Sequence, residues 1–198
     1  MSDSGAFPRV GVNLLWLLPG RVGGSEQATM RQLSALAELP EATNYHLFCT
    51  PEVARAHPAI VRAFAVTELA VDADSRLRRI VAESSTLERA AGRAGVQLMH
   101  HPGGTLPMRS RFPAVVTIHD IQPLDLPQYS SALKHRDLAI SLPRTVRRAR
   151  GIAVPSAVWT TSGWNWRPLM RPSALRMAAT GQLSVEPTAV KPGGILPT

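Results

Sequence analysis

A chain of 198 residues with 44% hydrophobic content can bury one substantial core and is too short for two full domains. Its formal net charge of +8 permits anionic partners, yet the basic residues are scattered and aromatics make up only 5%, so no stacking platform for nucleic-acid bases is apparent. The single cysteine, Cys49, cannot form an intrachain disulfide, and no run reaches the roughly 18 to 20 apolar residues of a membrane span, so a soluble, cytoplasmic protein is expected.

The first predicted element is a buried strand over Val10–Leu17, VGVNLLWL. Only Arg9 stands before this apolar run and Pro19-Gly20 follow it, without the small-residue cleavage pattern of a signal peptide. The glycine-rich stretch PGRVGG, residues 19–24, stops the strand, and Ser25 is read as the cap of a helix over 26–39. Ala28, Met30, Leu33, Leu36 and Ala37 give that helix an apolar stripe at three-and-four spacing. A second strand is expected over Tyr45–Thr50, a short helix over Pro51–His57 with proline in its first turn, and a weaker third strand over Phe64–Val71.

A long helix is predicted over Asp74–Gly95, with Leu77, Ile80, Val81, Leu87, Ala90 and Ala91 inward, Arg76, Arg78, Arg79, Glu83, Glu88 and Arg89 mostly outward, and Gly95 as its carboxyl-terminal cap. A fourth strand over Val96–Met99 leads into a loop, His100-His101-Pro102-Gly103-Gly104. The fifth strand, Val115–Ile118, is β-branched and too short for a helix, as suits a strand covered on both faces. A helix over 131–150, bent near Pro143, and a sixth strand over Ile152–Val154 complete the series. Strands alternating with helices imply an α/β fold, a doubly wound parallel sheet of Rossmann-like type.

After Ser156 the composition changes. Trp159, Trp164 and Trp166 crowd together, Glu186 is the only acidic residue after Asp137, and periodicity is lost. The expected organisation is a single Rossmann-like domain over residues 1–156 and a divergent tail over 157–198, either a disordered extension or a sequence read in the wrong frame.

In open α/β sheets ligands bind beyond the carboxyl ends of the strands, which is where His119 and Asp120 follow the apolar run VVTI. These two are the candidate catalytic residues; the competing account is a histidine bonded to a backbone carbonyl and an aspartate capping a turn. Gly23, Gly24 and Ser25, at a helix amino terminus, are candidate substrate-binding residues, because glycines let backbone approach a ligand and unpaired N–H groups favour an anion; a tight strand-to-helix turn would need the glycines anyway. A metal site from His100, His101, His119 and Asp120 is disfavoured, since adjacent residues on a strand point to opposite faces. Arg144, Arg147, Arg148 and Arg150 are read as a solvated basic run that complements a helix dipole, with contact to anionic lipid as the alternative.

Four segments together carry a resemblance. Val22-Gly23-Gly24-Ser25-Glu26, His100 at the end of the fourth strand, VVTIHDIQPLDLP and PRTVRRARGIAVPS resemble, in order, the amino-terminal half of family 4 glycosyltransferases, over roughly residues 8–156. The resemblance implies one half of a GT-B fold, in which two Rossmann-like domains face a cleft and a hexosyl group passes from a nucleotide-sugar to an acceptor, usually with retention. It implies that His119 contacts the donor sugar, that Asp120 orients loop or acceptor, that Gly23, Gly24, Ser25 and His100 line the substrate cleft, and that no metal or redox cofactor takes part. Its partners would be a nucleotide-sugar and a sugar or lipid-linked acceptor, with peripheral contact at the inner membrane face open to it. The family's pair of glutamates eight positions apart, which lies in its donor-binding half, has no counterpart at any Glu of this sequence. The chain is therefore expected to be weakly active or inactive alone. The alternatives are a non-catalytic interaction module that pairs with a separate donor-binding chain and, on charge alone, a nucleic-acid-binding protein.

Overall fold

The computed structural model of the chain describes residues 7–71, 80–119 and 132–154. The expected tail, Asp120, Leu77 and the start of the long helix lie outside these residues.

Six parallel strands form one sheet: β1 (Val10–Asn13), β2 (Tyr45–Cys49), β3 (Ala65–Glu68), β4 (Leu98–His101), β5 (Ala114–Thr117) and β6 (Gly151–Ala153). Their spatial order is β3-β2-β1-β4-β5-β6. The chain thus winds outward from β1 to β3, returns to place β4 beside β1, and winds the other way. This is the Rossmann-like, doubly wound α/β arrangement expected from the alternation of elements, and its switch point lies between β1 and β4.

Helices α1 (Gly24–Ala37), α2 (Pro51–Ala56) and α3 (Pro58–Ala63) belong to one core, in which Val12, Leu14, Leu17, Leu33, Leu47, Cys49, Val53 and Ile60 are buried, with Met30 and Leu36 packed against it. Helix α4 (Glu88–Arg93) and helix α5 (Ala132–Arg148) supply the other core, around Phe48, Leu87, Ala91, Met99, Val116, Leu142 and Val146. Successive strand residues alternate between the two cores: Val12 and Leu47 face one, Phe48, Met99 and Val116 the other.

Several boundaries and faces differ from the sequence expectation, each for a local reason. The first strand ends at Asn13 rather than Leu17, because the Asn13 side-chain oxygen accepts a hydrogen bond from Leu15 N–H at 3.0 Å and turns the chain. Ser25 is not the cap of α1: the helix starts at Gly24 behind Gly23, whose φ of 75° and ψ of −130° suit glycine alone, and no side chain caps it. His100 and His101 lie within β4, not in the loop after it, because parallel pairing continues through His100–Val115 and His101–Val116.

The long helix turns through a π segment, Glu83–Leu87, just before α4. The extra residue per turn shifts the apolar face, so Val81, expected inward, is 65% exposed, while Leu87, Ala90 and Ala91 are buried. Glu88, expected outward, is buried and accepts a hydrogen bond from Arg111 N–H at 2.8 Å. Gly95 does close this helix: Val96 N–H donates to Ala91 O and Gly95 N–H to Gly92 O, the paired bonds of a Schellman ending. Pro143 sits inside α5 without ending it.

Candidate functional site

The carboxyl ends of the central strands carry polar side chains where hydrophobic ones would be expected. Asn13 is the last residue of β1, His101 the last of β4, and His119 follows β5 by two positions. All three stand at or beside the switch point.

On one face, Asn13 Nδ2 lies 3.2 Å from His101 Nδ1 and donates to Glu83 Oε1 at 3.1 Å, while Asn13 Oδ1 takes the Leu15 N–H. With the amide nitrogen directed at it, His101 Nδ1 must act as acceptor, which leaves the proton on Nε2. Asn13 and His101 are almost fully buried, at 2% and 1% exposure. Burial first, and the neighbouring His100 second, push the His101 pKa down to about 3, so the ring is neutral at ordinary pH.

His100 points the other way, as alternation on a strand requires. Its Nε2 lies 2.8 Å from Thr117 Oγ1, joining β4 to β5. Burial, with a smaller contribution from His119, lowers its pKa to about 4. The His119 pKa is also lowered by burial, while a hydrogen bond to the Pro102 backbone acts in the opposite sense. His119 follows Thr117, the partner of His100, by two positions, and burial favours the neutral form of each imidazole.

Two loops flank these residues. The one after β4 passes Gly103, whose missing side chain makes room for the Trp16 indole: a Cβ on Gly103 would lie 2.6 Å from Trp16 Cγ. The loop after β1, which carries Trp16, ends at Gly23 and Gly24 and is held by Glu26. One Glu26 carboxylate oxygen accepts Gly20 N–H at 2.9 Å, and the other lies 3.0 Å from His57 Nε2 at the α2–α3 junction. The Gly23-Gly24-Ser25 segment is therefore a shaped amino terminus of α1. The partly buried Glu26 carboxylate already stands at this positive helix end, which lowers its affinity for a further anion.

The basic run of α5 does not serve only as a solvated face. Arg144 donates to Leu106 O at 3.2 Å, Arg148 donates to Pro107 O and Met108 O, and Thr145 Oγ1 accepts Leu106 N–H at 3.0 Å. These bonds fasten the loop after β4 to the helix, while Arg147 and Arg150 remain near the helix end. Among the described residues, no helix is long and apolar enough to cross a membrane, and no three His, Cys, Asp or Glu side chains are grouped to hold a metal ion.

Comparison with protein-family models, with curated proteins and with solved structures finds no match for this chain. Of the residues expected from sequence, His100 and His119 stand at the ends of the adjacent strands β4 and β5, Gly23, Gly24 and Ser25 open α1 with their bonds running within that helix and its turn, and Asp120 lies outside the described residues. Asn13, Glu83, His101 and Trp16 were not anticipated. The signal for Asn13 was present: a lone amide inside the apolar run VGVNLLWL.

Proposed function

We propose that this domain is the acceptor-side half of a GT-B glycosyltransferase of the retaining, hexosyl-transferring kind, acting in the cytoplasm on a nucleotide-sugar donor. The observation that carries the reading is the placing of His100, whose Nε2 lies 2.8 Å from Thr117 Oγ1, and of His119, two positions past β5, at the carboxyl ends of adjacent strands next to the switch point of a doubly wound sheet. The ordered resemblance of four segments to family 4 glycosyltransferases supplies the reaction class.

Catalysis in this reading is positional and electrostatic. The His119 ring, held neutral, contacts the donor sugar near the anomeric carbon. The Gly23–Ser25 turn lines the cleft floor. Binding of the donor diphosphate rests on a second Rossmann-like domain, because this sequence lacks the family's paired glutamates and the α1 amino terminus already has Glu26 beside it. A domain that pairs with a separately encoded donor-binding chain uses the same surfaces.

Isothermal titration of the chain with UDP- and GDP-sugars, alone and fused to the donor-binding domain of a family 4 enzyme, tests this reading. The expected result is binding by the fusion and none by the chain alone. Micromolar affinity of the chain alone would show that the donor site is misplaced.

A further inference from the structure

The fold gathers positive charge that is scattered along the chain. Arg9 stands directly before β1, Arg109 and Arg111 a few residues before β5, and Arg150 directly before β6, while Arg93 ends α4 and Arg147 lies in the last turn of α5. Crossovers between parallel strands return the chain to the strands' amino ends, so all six arginines belong to one end of the sheet, opposite His119. All six are exposed. Because β1, β4, β5 and β6 are neighbours in the sheet, the row spans about 14 Å at the usual strand spacing.

No carboxylate answers this charge among the described residues. In the segments that border this end, residues 7–9, 88–97, 105–113 and 144–151, Glu88 is the only acidic residue, and it is buried and accepts Arg111 N–H. None of the six arginines is in an ion pair among the described residues; Arg9 approaches His46 Nδ1 at 3.5 Å. A helix dipole explains Arg93 and Arg147, which stand at helix carboxyl ends. It does not explain Arg9, Arg109, Arg111 and Arg150, which precede strands. The other half of the same sheet end is mixed in sign, with Glu38 and Glu41 ahead of β2 and Arg62 ahead of β3.

Two large apolar side chains stand at this end as well. Phe7, ahead of β1, is 66% exposed, and Met108, ahead of β5, is 59% exposed, its carbonyl held by Arg148 at 2.7 Å. Phe and Met beside Arg, with acidic residues absent, is the composition that sets protein–protein interfaces apart from other surface. A nucleic-acid backbone would answer the arginines but leave Phe7 and Met108 uncovered, and one aromatic is no stacking platform. A bilayer surface favours a helix lying in its plane, whereas α4 and α5 end at this face. We propose that the amino end of the sheet, across β1, β4, β5 and β6, is a docking surface for an acidic, amphipathic segment of a partner protein. Its carboxylates pair with the arginines, and its apolar face covers Phe7 and Met108. The proposal goes beyond the glycosyltransferase reading and does not depend on it, since the carboxyl ends of the strands stay free.

The test is fluorescence anisotropy of the full chain with four probes: a peptide carrying Glu and Leu on opposite helical faces, an all-Glu peptide, poly-uridine RNA and phosphatidylserine vesicles. The Glu/Leu peptide is expected to bind most tightly, and less so as salt is raised. Arg109→Glu combined with Arg147→Glu should weaken that binding at least about tenfold. Arg31→Glu combined with Arg55→Glu, at exposed positions on α1 and α2, makes the same change in net charge and should leave binding close to wild type. Phe7→Ser combined with Met108→Ser should bring the affinity for the Glu/Leu peptide down to that for the all-Glu peptide. Arg109→Gln with Arg147→Gln removes the charges without reversing them, and should give a smaller loss in the same direction.

Equal losses in the two charge-reversed pairs would mean that net charge alone drives binding and would overturn the proposal. So would tighter binding of the RNA or of the vesicles, or no binding of the Glu/Leu peptide by the wild-type chain.

Discussion

Glu26 Oε1 and His57 Nε2 lie 3.0 Å apart and connect the first turn of α1 to the junction of α2 and α3, while Glu26 Oε2 holds the Gly20 N–H. A single partly buried carboxylate thereby fixes the end of the glycine loop and ties it to the neighbouring helices. Replacing it leaves the loop amide and the imidazole without their partner. Glu26→Ala should destabilise the domain by about 1–3 kcal/mol in urea unfolding, with Glu52→Ala, at an exposed pair on α2, near neutral. Equal effects at the two positions would mean that the Glu26 contacts are not maintained in solution.

The π segment before α4 makes a second pair of opposite outcomes. Leu87 is fully buried and Val81 is 65% exposed, although both belong to the apolar pattern of the long helix. Leu87→Ala should cost about 2–5 kcal/mol, and Val81→Ala less than about 0.5 kcal/mol. The same thermal or chemical unfolding assay applied to Leu33→Ala should also give about 2–5 kcal/mol, since Leu33 anchors α1 on the other face.

Acid sensitivity follows from the buried histidines. The pKa values of His100 and His101 are lowered from 6.5 to about 4 and about 3, both chiefly by burial. Below pH 6.5 the unfolded chain therefore binds protons that the folded chain refuses, so the stabilising preference for neutral rings is complete above that pH and is lost as pH falls towards the folded values. Between pH 6 and pH 4 each histidine should lower stability by up to about 1.4 kcal/mol per pH unit. Unfolding free energies measured across this window should fall more gently in His101→Asn. A wild-type chain whose stability is flat from pH 7 to pH 4 would contradict the buried, neutral assignment.

Gly103 tests the contact between the two loops. A methyl group there meets the Trp16 ring at 2.6 Å, closer than any relaxed contact. Gly103→Ala should cost about 1–3 kcal/mol and change the Trp16 indole resonance, whereas Gly24→Ala, with nothing near its added carbon, should be tolerated. An unchanged Trp16 signal in Gly103→Ala would show that the loops do not touch.

The order and type of elements were legible in the sequence because each strand is a compact β-branched or apolar run and each helix repeats at three-and-four spacing. What escaped were the places where a polar side chain redirects the backbone or the helical period slips. Asn13 ends β1 four residues early, Gly23 rather than Ser25 caps α1, and the turn at Glu83–Leu87 swaps the expected roles of Val81 and Glu88. His119 could be singled out because it follows an apolar strand in sequence. His101 could not: its importance comes from Asn13 and Glu83, residues distant in the chain that meet it only in the folded sheet. The basic run of α5 was likewise readable as charge, while the bonds of Arg144 and Arg148 to the carbonyls of Leu106, Pro107 and Met108 depend on a loop some forty residues away.

In the proposed function the carboxyl ends of β4 and β5 form the acceptor-side wall of a sugar-transfer site with His119 at its centre. The most direct measurement is the turnover of a fusion between this domain and the donor-binding domain of a family 4 glycosyltransferase, compared with its His119→Ala variant, alongside the melting temperature of each. The expected result is transfer by the fusion, and a rate lowered at least about a hundredfold by His119→Ala with little change in melting temperature. A fusion that folds and binds the nucleotide-sugar yet transfers nothing, or one whose rate is indifferent to His119→Ala, would contradict it.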